Sequence, residues 1–314
     1  MNLKKINFYS NSIKHKIADD NSYNIYWSPI AAALKGIKKV YFSSDGVFNK
    51  VNFNTLKIPN KKTYLIDEIE IDLVTNTADL LNKERDPLTS TYAVLIGNPE
   101  FGGDLKPLPG SEMEIHSVKS ILNEKQWRDN TLLGEHATEE ALKDMIKPNI
   151  LHIATHGFFN ESTGKEVNYN NNPLFQSGLM LSGSNQGKNT SALNRRNFDL
   201  GIEDGVLTSY EVLNLNIDNS ELVVLSACET GLGEIKNGEG VYGLQRAFQL
   251  AGTRSLLMSL WKVDDAVTQK LMTTFYQNWF SGQQKSAAFI NAQKQIRNEY
   301  PEPCYWGSFV LIED

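Results

Sequence analysis

Polar residues dominate the first 22 positions, and no apolar period runs through them, so 1–22 reads as a tail or linker. Positions 24–35 (NIYWSPIAAALK) gather aromatic and Ala residues as one face of a helix would. IKKVYFS at 37–43 is strand-like, and Ser44-Asp45-Gly46 behind it carries turn chemistry. Short strands are also expected at 47–53, 63–66 and 69–75. The stretch 23–90 thus predicts a small α+β portion, an antiparallel or mixed sheet with a helix beside it.

The pattern changes after Asp86-Pro87. YAVLIGNP at 92–99 is an almost unbroken apolar run closed by Gly, Asn and Pro, which suits a strand covered on both faces. ILHIATHG at 150–157, ELVVLSA at 221–227 and TRSLLMSLW at 253–261 read the same way. Further strands are expected at 130–135, 174–182 and 306–314. Helical periods lie between them, from Ser111 to about Asn123 and over 138–146, 238–251, 264–279 and 285–300. Ser111 and Glu114 have the spacing of a capping box, and Thr138 is an expected cap. Strands alternating with helices over 91–314 predict a three-layer α/β sandwich, a central, mostly parallel sheet with helices on both faces. Gly183 to Ile202 reads as a long exposed loop within it.

Composition sets boundaries on this picture. Hydrophobic residues make up 40% of the 314 and charged residues 22%, which allows a sizeable core. No apolar run reaches the roughly 18 residues of a membrane span. The net charge of -6 argues against nucleic acid or a membrane as direct partner, because phosphates attract clustered Lys and Arg. The basic N-terminus has no apolar run behind it, so no signal peptide is expected there. With Cys228 and Cys304 as its cysteines, the chain is expected in a reducing, cytoplasmic setting.

Two buried runs lead to residues with chemistry, ILHIAT to His156-Gly157 and ELVVLSA to Cys228. Sites on open parallel sheets form beyond the carboxyl ends of the strands, so a His and a Cys distant in sequence can meet there. A thiolate is a strong nucleophile, and an imidazole beside it can take the thiol proton and later protonate the leaving amine. The oxyanion needs backbone N–H donors, and Gly157 and Cys228 are the expected pair. Gly231 and Gly233 allow the chain to turn sharply after the nucleophile. Taken singly, each residue reads more readily as packing or hydrogen-bonded structure than as catalytic. His152 is expected to be buried structure or an orienting neighbour, and Cys304 structural. His15, His116 and His136 have no motif around them. No Glu or Cys cluster completes a metal site, so neither metal nor other cofactor is expected. LIGNPEFGGD lacks GxxxxGK[ST], which argues against a nucleotide binder.

LHIATHG followed by LVVLSACETGLGEIKNGEGVYGLQRAFQLAGTRSLLMSLWKVDD resembles the CHAT domain, a caspase-like peptidase domain related to separases. KKVYFSSDGVF, YLIDEIEI, LIGNP, LPGSEMEI, ATEEALK, PLFQSGLMLSG, EDGVLTSYEVLNL and YWGSFVLIED fall in the family's order, so the resemblance covers roughly 24–312. It implies a caspase-like fold, with His156 as catalytic base and Cys228 as nucleophile. In many members the domain follows TPR repeats; no repeat is read before residue 24 here, so the chain is expected to be either a stand-alone member or a peptidase domain excised from a longer protein. Some members act in bacterial defence on a partner such as a gasdermin-like pore former, which suggests a bacterial context.

The expected partner is a protein or peptide substrate, with a TPR or activator protein as regulator. Peptidases of this type read mainly the residue before the scissile bond. Asp264, Asp265, Glu239 and Trp261 are the candidates to line its pocket beside Cys228. An acidic pocket would select Arg or Lys; against it, Asp264 suits a helix cap, and Trp261 with Met258 would shape an apolar pocket. The loop 183–202, with Arg195-Arg196, is either a self-cleavage segment or a passive loop. The competing functional reading is a catalytically silent or activator-dependent scaffold that binds a partner protein.

Overall fold

The buried apolar runs become the middle strands of one sheet. The computed structural model describes residues 3–81, 91–103, 105–159, 172–184, 196–227, 234–236, 240–262 and 264–313. Its strands are β1 (Lys39–Phe42), β2 (Glu70–Val74), β3 (Tyr92–Pro99), β4 (Arg128–Gly134), β5 (Ile150–Ala154), β6 (His156–Phe159) and β7 (Ser177–Met180). They continue with β8 (Val206–Thr208), β9 (Leu222–Ser226), β10 (Glu234–Lys236), β11 (Gly240–Tyr242), β12 (Ser255–Ser259) and β13 (Phe309–Glu313). Eight form the main sheet in the order β1-β2-β13-β12-β9-β5-β3-β4. Every neighbouring pair in it is parallel except β12 and β13.

Both faces of the central strands are covered, which is why their sequences carry no alternation. On one face Leu95, Val224 and Leu257 pack against the helices Pro109–Glu124, Asp265–Phe280 and Lys285–Glu299. On the other, Val94, Ile153, Leu225 and Met258 meet Leu142, Val212 and Phe248. Each such fully buried aliphatic side chain contributes about 1.5–3 kcal/mol, so these two layers, rather than any cap or turn, dominate the stability. The expected three-layer α/β sandwich is the observed one.

Several local expectations are corrected. The polar stretch at the N-terminus is not a tail: Leu3–Lys14 is a helix. Its Ile6, Tyr9 and Ile13 are buried against an aromatic cluster that includes Tyr26, Trp27 and Phe53. The expected helix at 24–35 is broken into Ser22–Tyr26, Ser28–Ala31 and a 3-10 turn, Ala32–Leu34, with Pro29 lacking the N–H a continuous helix would use. The strands expected at 47–53 and 63–66 are largely 3-10 turns, Gly46–Lys50 and Leu65–Asp67. β1 and β2 are parallel and join the main sheet through β13, so the first third adds strands to that sheet instead of forming an antiparallel one. The helix expected over 238–251 begins at Leu244, after a β10–β11 hairpin.

The run at 150–157 is not one strand. β5 stops at Ala154, Thr155 is buried, and β6 departs into a separate antiparallel sheet of order β6-β7-β8. The Thr155 hydroxyl donates to the Met180 carbonyl and fixes this change of direction. His156 therefore opens a new strand over the end of the main sheet.

Candidate functional site at the ends of β5 and β9

β5 and β9 are parallel neighbours whose register runs from Ile150 opposite Leu222 to Ala154 opposite Ser226. Their carboxyl ends are level. His156 follows the first end by two residues, and position 228 follows the second by two. Cys228 itself lies outside the described residues, as do Gly231, Gly233, Glu239 and Arg195.

His156 is half-buried, with its ring 5.0 Å from that of Phe101. Its Nε2 lies 3.0 Å from the Lys106 carbonyl oxygen. A carbonyl only accepts, so Nε2 is the donor, and in the neutral ring the lone pair is then on Nδ1. The Lys106 segment is held by the end of β3. Asn98, with φ 44, takes a left-handed conformation that Asn tolerates. Its Oδ1 accepts from Leu108 N at 3.0 Å, its Nδ2 donates to Glu112 at 2.9 Å, and its N donates to Ser111 Oγ at 2.8 Å. Gly157 sits opposite Leu179 in the β6–β7 pair.

The approach to position 228 is held on two sides. Ser226 Oγ donates to Glu114 Oε2 at 3.1 Å. The Ala227 carbonyl accepts from Ser259 Oγ at 2.5 Å, and Ser259 is fully buried on β12. His152 is fully buried as well: Nε2 lies 2.8 Å from Glu114 Oε1 and Nδ1 lies 3.1 Å from the Tyr276 hydroxyl. Burial, with the Glu114 charge nearby, pushes the Tyr276 hydroxyl well above its ordinary pKa. Ser111 and Glu114 do not form the expected capping box. The helix starts earlier, at Pro109, and the Glu114 carboxylate turns into the core.

The pocket candidates separate. Asp264 caps its helix, Oδ1 accepting from Ala266 N at 3.1 Å and Val267 N at 3.2 Å. Trp261 donates its indole N–H to the Cys304 carbonyl at 3.1 Å and packs toward the N-terminal aromatic cluster. Met258 is buried. Asp265 is exposed beside the first turn of the Pro109–Glu124 helix, where a Cβ on Gly110 would come 2.9 Å from its own. Cys304 sits partly buried on the short helix Pro303–Trp306, and burial raises its thiol pKa, which makes it a poor nucleophile. Among the described residues no cluster of three or more His, Cys, Asp or Glu could hold a metal ion, and no helix is long and apolar enough to cross a membrane.

The CHAT domain family model matches residues 21–314. The chain belongs to the CHAT domain family. Tetratricopeptide repeat protein 28 of Homo sapiens is 23% identical to this CHAT domain over 299 residues, which is 85% of the chain and 12% of that protein. The chain thus spans only a small part of the curated relative's length. Among solved structures, the Arg-specific cysteine proteinase gingipain R of Porphyromonas gingivalis superposes with a TM-score of 0.54 at 11% identity, over 97% of this chain and 69% of the other. Separase in the Saccharomyces cerevisiae separase–securin complex gives 0.51 at 14% identity, over 87% and 16%. At these identities the likeness shows the fold, that of caspase-like cysteine peptidases. Residue reading of the CHAT domain missed Lys106, Phe101 and Asn98. The signal lay in LIGNP and LPGSEMEI, quoted as motifs without a physical role, and their role is to hold the backbone against His156.

Proposed function

We propose that this CHAT domain is a cysteine endopeptidase that cleaves a partner protein, with Cys228 as nucleophile and His156 as base. The observation that carries the reading is the level pairing of Ala154 with Ser226, which sends the two motif segments out from adjacent parallel strands. His156 Nδ1, left with its lone pair by the Lys106 contact, takes the thiol proton. The thiolate attacks the peptide carbonyl, and the amides of Gly157 and Cys228 receive the oxyanion. The imidazolium, its other N–H still on the Lys106 carbonyl, protonates the leaving amine, and water then hydrolyses the thioester.

A mixed peptide library tests this. The parent protein should cut it, and Cys228→Ala and His156→Ala should each lose at least about a thousandfold in rate. Loss of nothing in Cys228→Ala would reject the assignment. Asp265, the acidic candidate left exposed and uncommitted to a cap, supports a preference for Arg or Lys before the cut. Asp265→Asn should lower kcat/KM for such peptides about tenfold and leave Leu peptides unchanged; a native Leu preference would reject the acidic pocket.

The activator-dependent reading rests on a different observation. The curated relative is named for tetratricopeptide repeats, and the chain matches only 12% of it. On that reading the domain works under a TPR or activator protein. A library left uncut, while the Cys228 thiol still reacts at low pH, would favour it; an ordinary thiol would favour a silent scaffold.

A further inference from the structure

One buried carboxylate joins the three segments on which the proposed dyad depends. Glu114 is 2% exposed, on the Pro109–Glu124 helix, inside an otherwise apolar layer of Leu95, Val224, Leu257 and Leu271. Its Oε1 accepts from His152 Nε2 at 2.8 Å, in the middle of β5. Its Oε2 accepts from Ser226 Oγ at 3.1 Å, the last residue of β9. Its own helix begins directly after the Lys106–Leu108 segment, whose carbonyl holds His156. The Tyr276 hydroxyl completes the chain on the far nitrogen of His152 at 3.1 Å.

Stability alone does not account for this arrangement. A carboxylate taken out of water costs several kcal/mol unless its partners are well placed, and apolar residues of similar volume often do as well or better. Direction is what it adds: a fully satisfied buried network fixes its members in one geometry. We infer that Glu114 is a positioning residue of the site, a clamp that sets β5, β9 and the Lys106 segment against one another and so fixes His156 relative to the end of β9, from which the segment of Cys228 departs. The inference rests on the peptidase reading above. Ser259, donating to the Ala227 carbonyl at 2.5 Å, steadies the same strand end from β12.

The test uses the full chain with Ser226→Ala, Ser226→Thr and Glu114→Gln. The first readout is the pH profile of Cys228 alkylation by iodoacetamide, followed by mass spectrometry with the Cys304 peptide as internal reference. The second is kcat and KM on a cleaved peptide, alongside a thermal melt. In the parent, Cys228 should react well below the ordinary thiol range of about 8.5. Ser226→Ala and Glu114→Gln should move its profile toward that range and lower kcat about ten- to hundredfold, with KM held within about twofold. Ser226→Thr, which restores the hydroxyl, should recover both. Unchanged profiles and kcat in Ser226→Ala and Glu114→Gln, beside an activated parent thiol, overturn the positioning role alone. If Glu114→Gln fails to melt cooperatively, the Ala and Thr variants at 226 decide. A parent thiol that is ordinary and cuts nothing removes the peptidase reading, and this inference with it.

Discussion

Tyr9 shows how much one hydroxyl can carry far from the site. It lies in a stretch that reads as solvated tail, yet it is 2% exposed. Its oxygen accepts from Asn52 N at 3.1 Å and meets Thr55 Oγ1 at 2.8 Å. Asn52 in turn donates Nδ2 to the Gly307 carbonyl at 2.7 Å, just before β13. Tyr9→Phe should cost about 1–3 kcal/mol, because it strands a buried N–H, and should lower the melting temperature without changing kcat. Glu114 carries a related lesson. Its spacing from Ser111 fits a local cap, and only the register of three distant segments turns it inward, so no local pattern exposes its role. The strand ends that lead to His156 and to position 228 were legible as unbroken apolar runs; the carbonyl of Lys106 was not, since any residue has one.

Among the elements, the short helix Glu139–Lys143 carries a dense cluster of charge. Lys143 Nζ lies 2.7 Å from Glu139, 2.9 Å from Glu203 and 3.1 Å from Glu211, so one ammonium faces three carboxylates. Burial first, and the Glu211 charge next, push the Glu139 carboxyl up from an ordinary 4.5 to about 9 against the pull of Lys143. Across that interval the folded chain keeps a proton that the unfolded chain releases. Stability therefore falls as pH rises from 4.5 toward 9. Glu139→Gln titrates nowhere and keeps an acceptor for Gly205 N. Melting curves across this range should flatten in the variant, with the parent the less stable of the two at the alkaline end. The Leu3–Lys14 helix was hidden for a simpler reason: three apolar contacts at spacings of three and four, Ile6, Tyr9 and Ile13, are too few to stand out among Lys and Asn.

For the whole molecule, the central strands were readable from sequence because burial on both faces leaves an unbroken apolar run. β3, β9 and β12 appear where that pattern puts them, and β5 fills the first part of its run. What escaped is what depends on partners distant in the chain. β1 and β2 attach through β13, and the break at Thr155 depends on Met180, a residue from another strand. The place of β13 has a further consequence. It follows every other described strand in chain order, yet it stands third in the sheet, between β2 and β12. While the polypeptide is still leaving the ribosome, β1 and β2 have no strand to dock on, and the edge of β12 stays open. A chain cut before residue 309 would thus leave the β12 edge unpaired and prone to self-association.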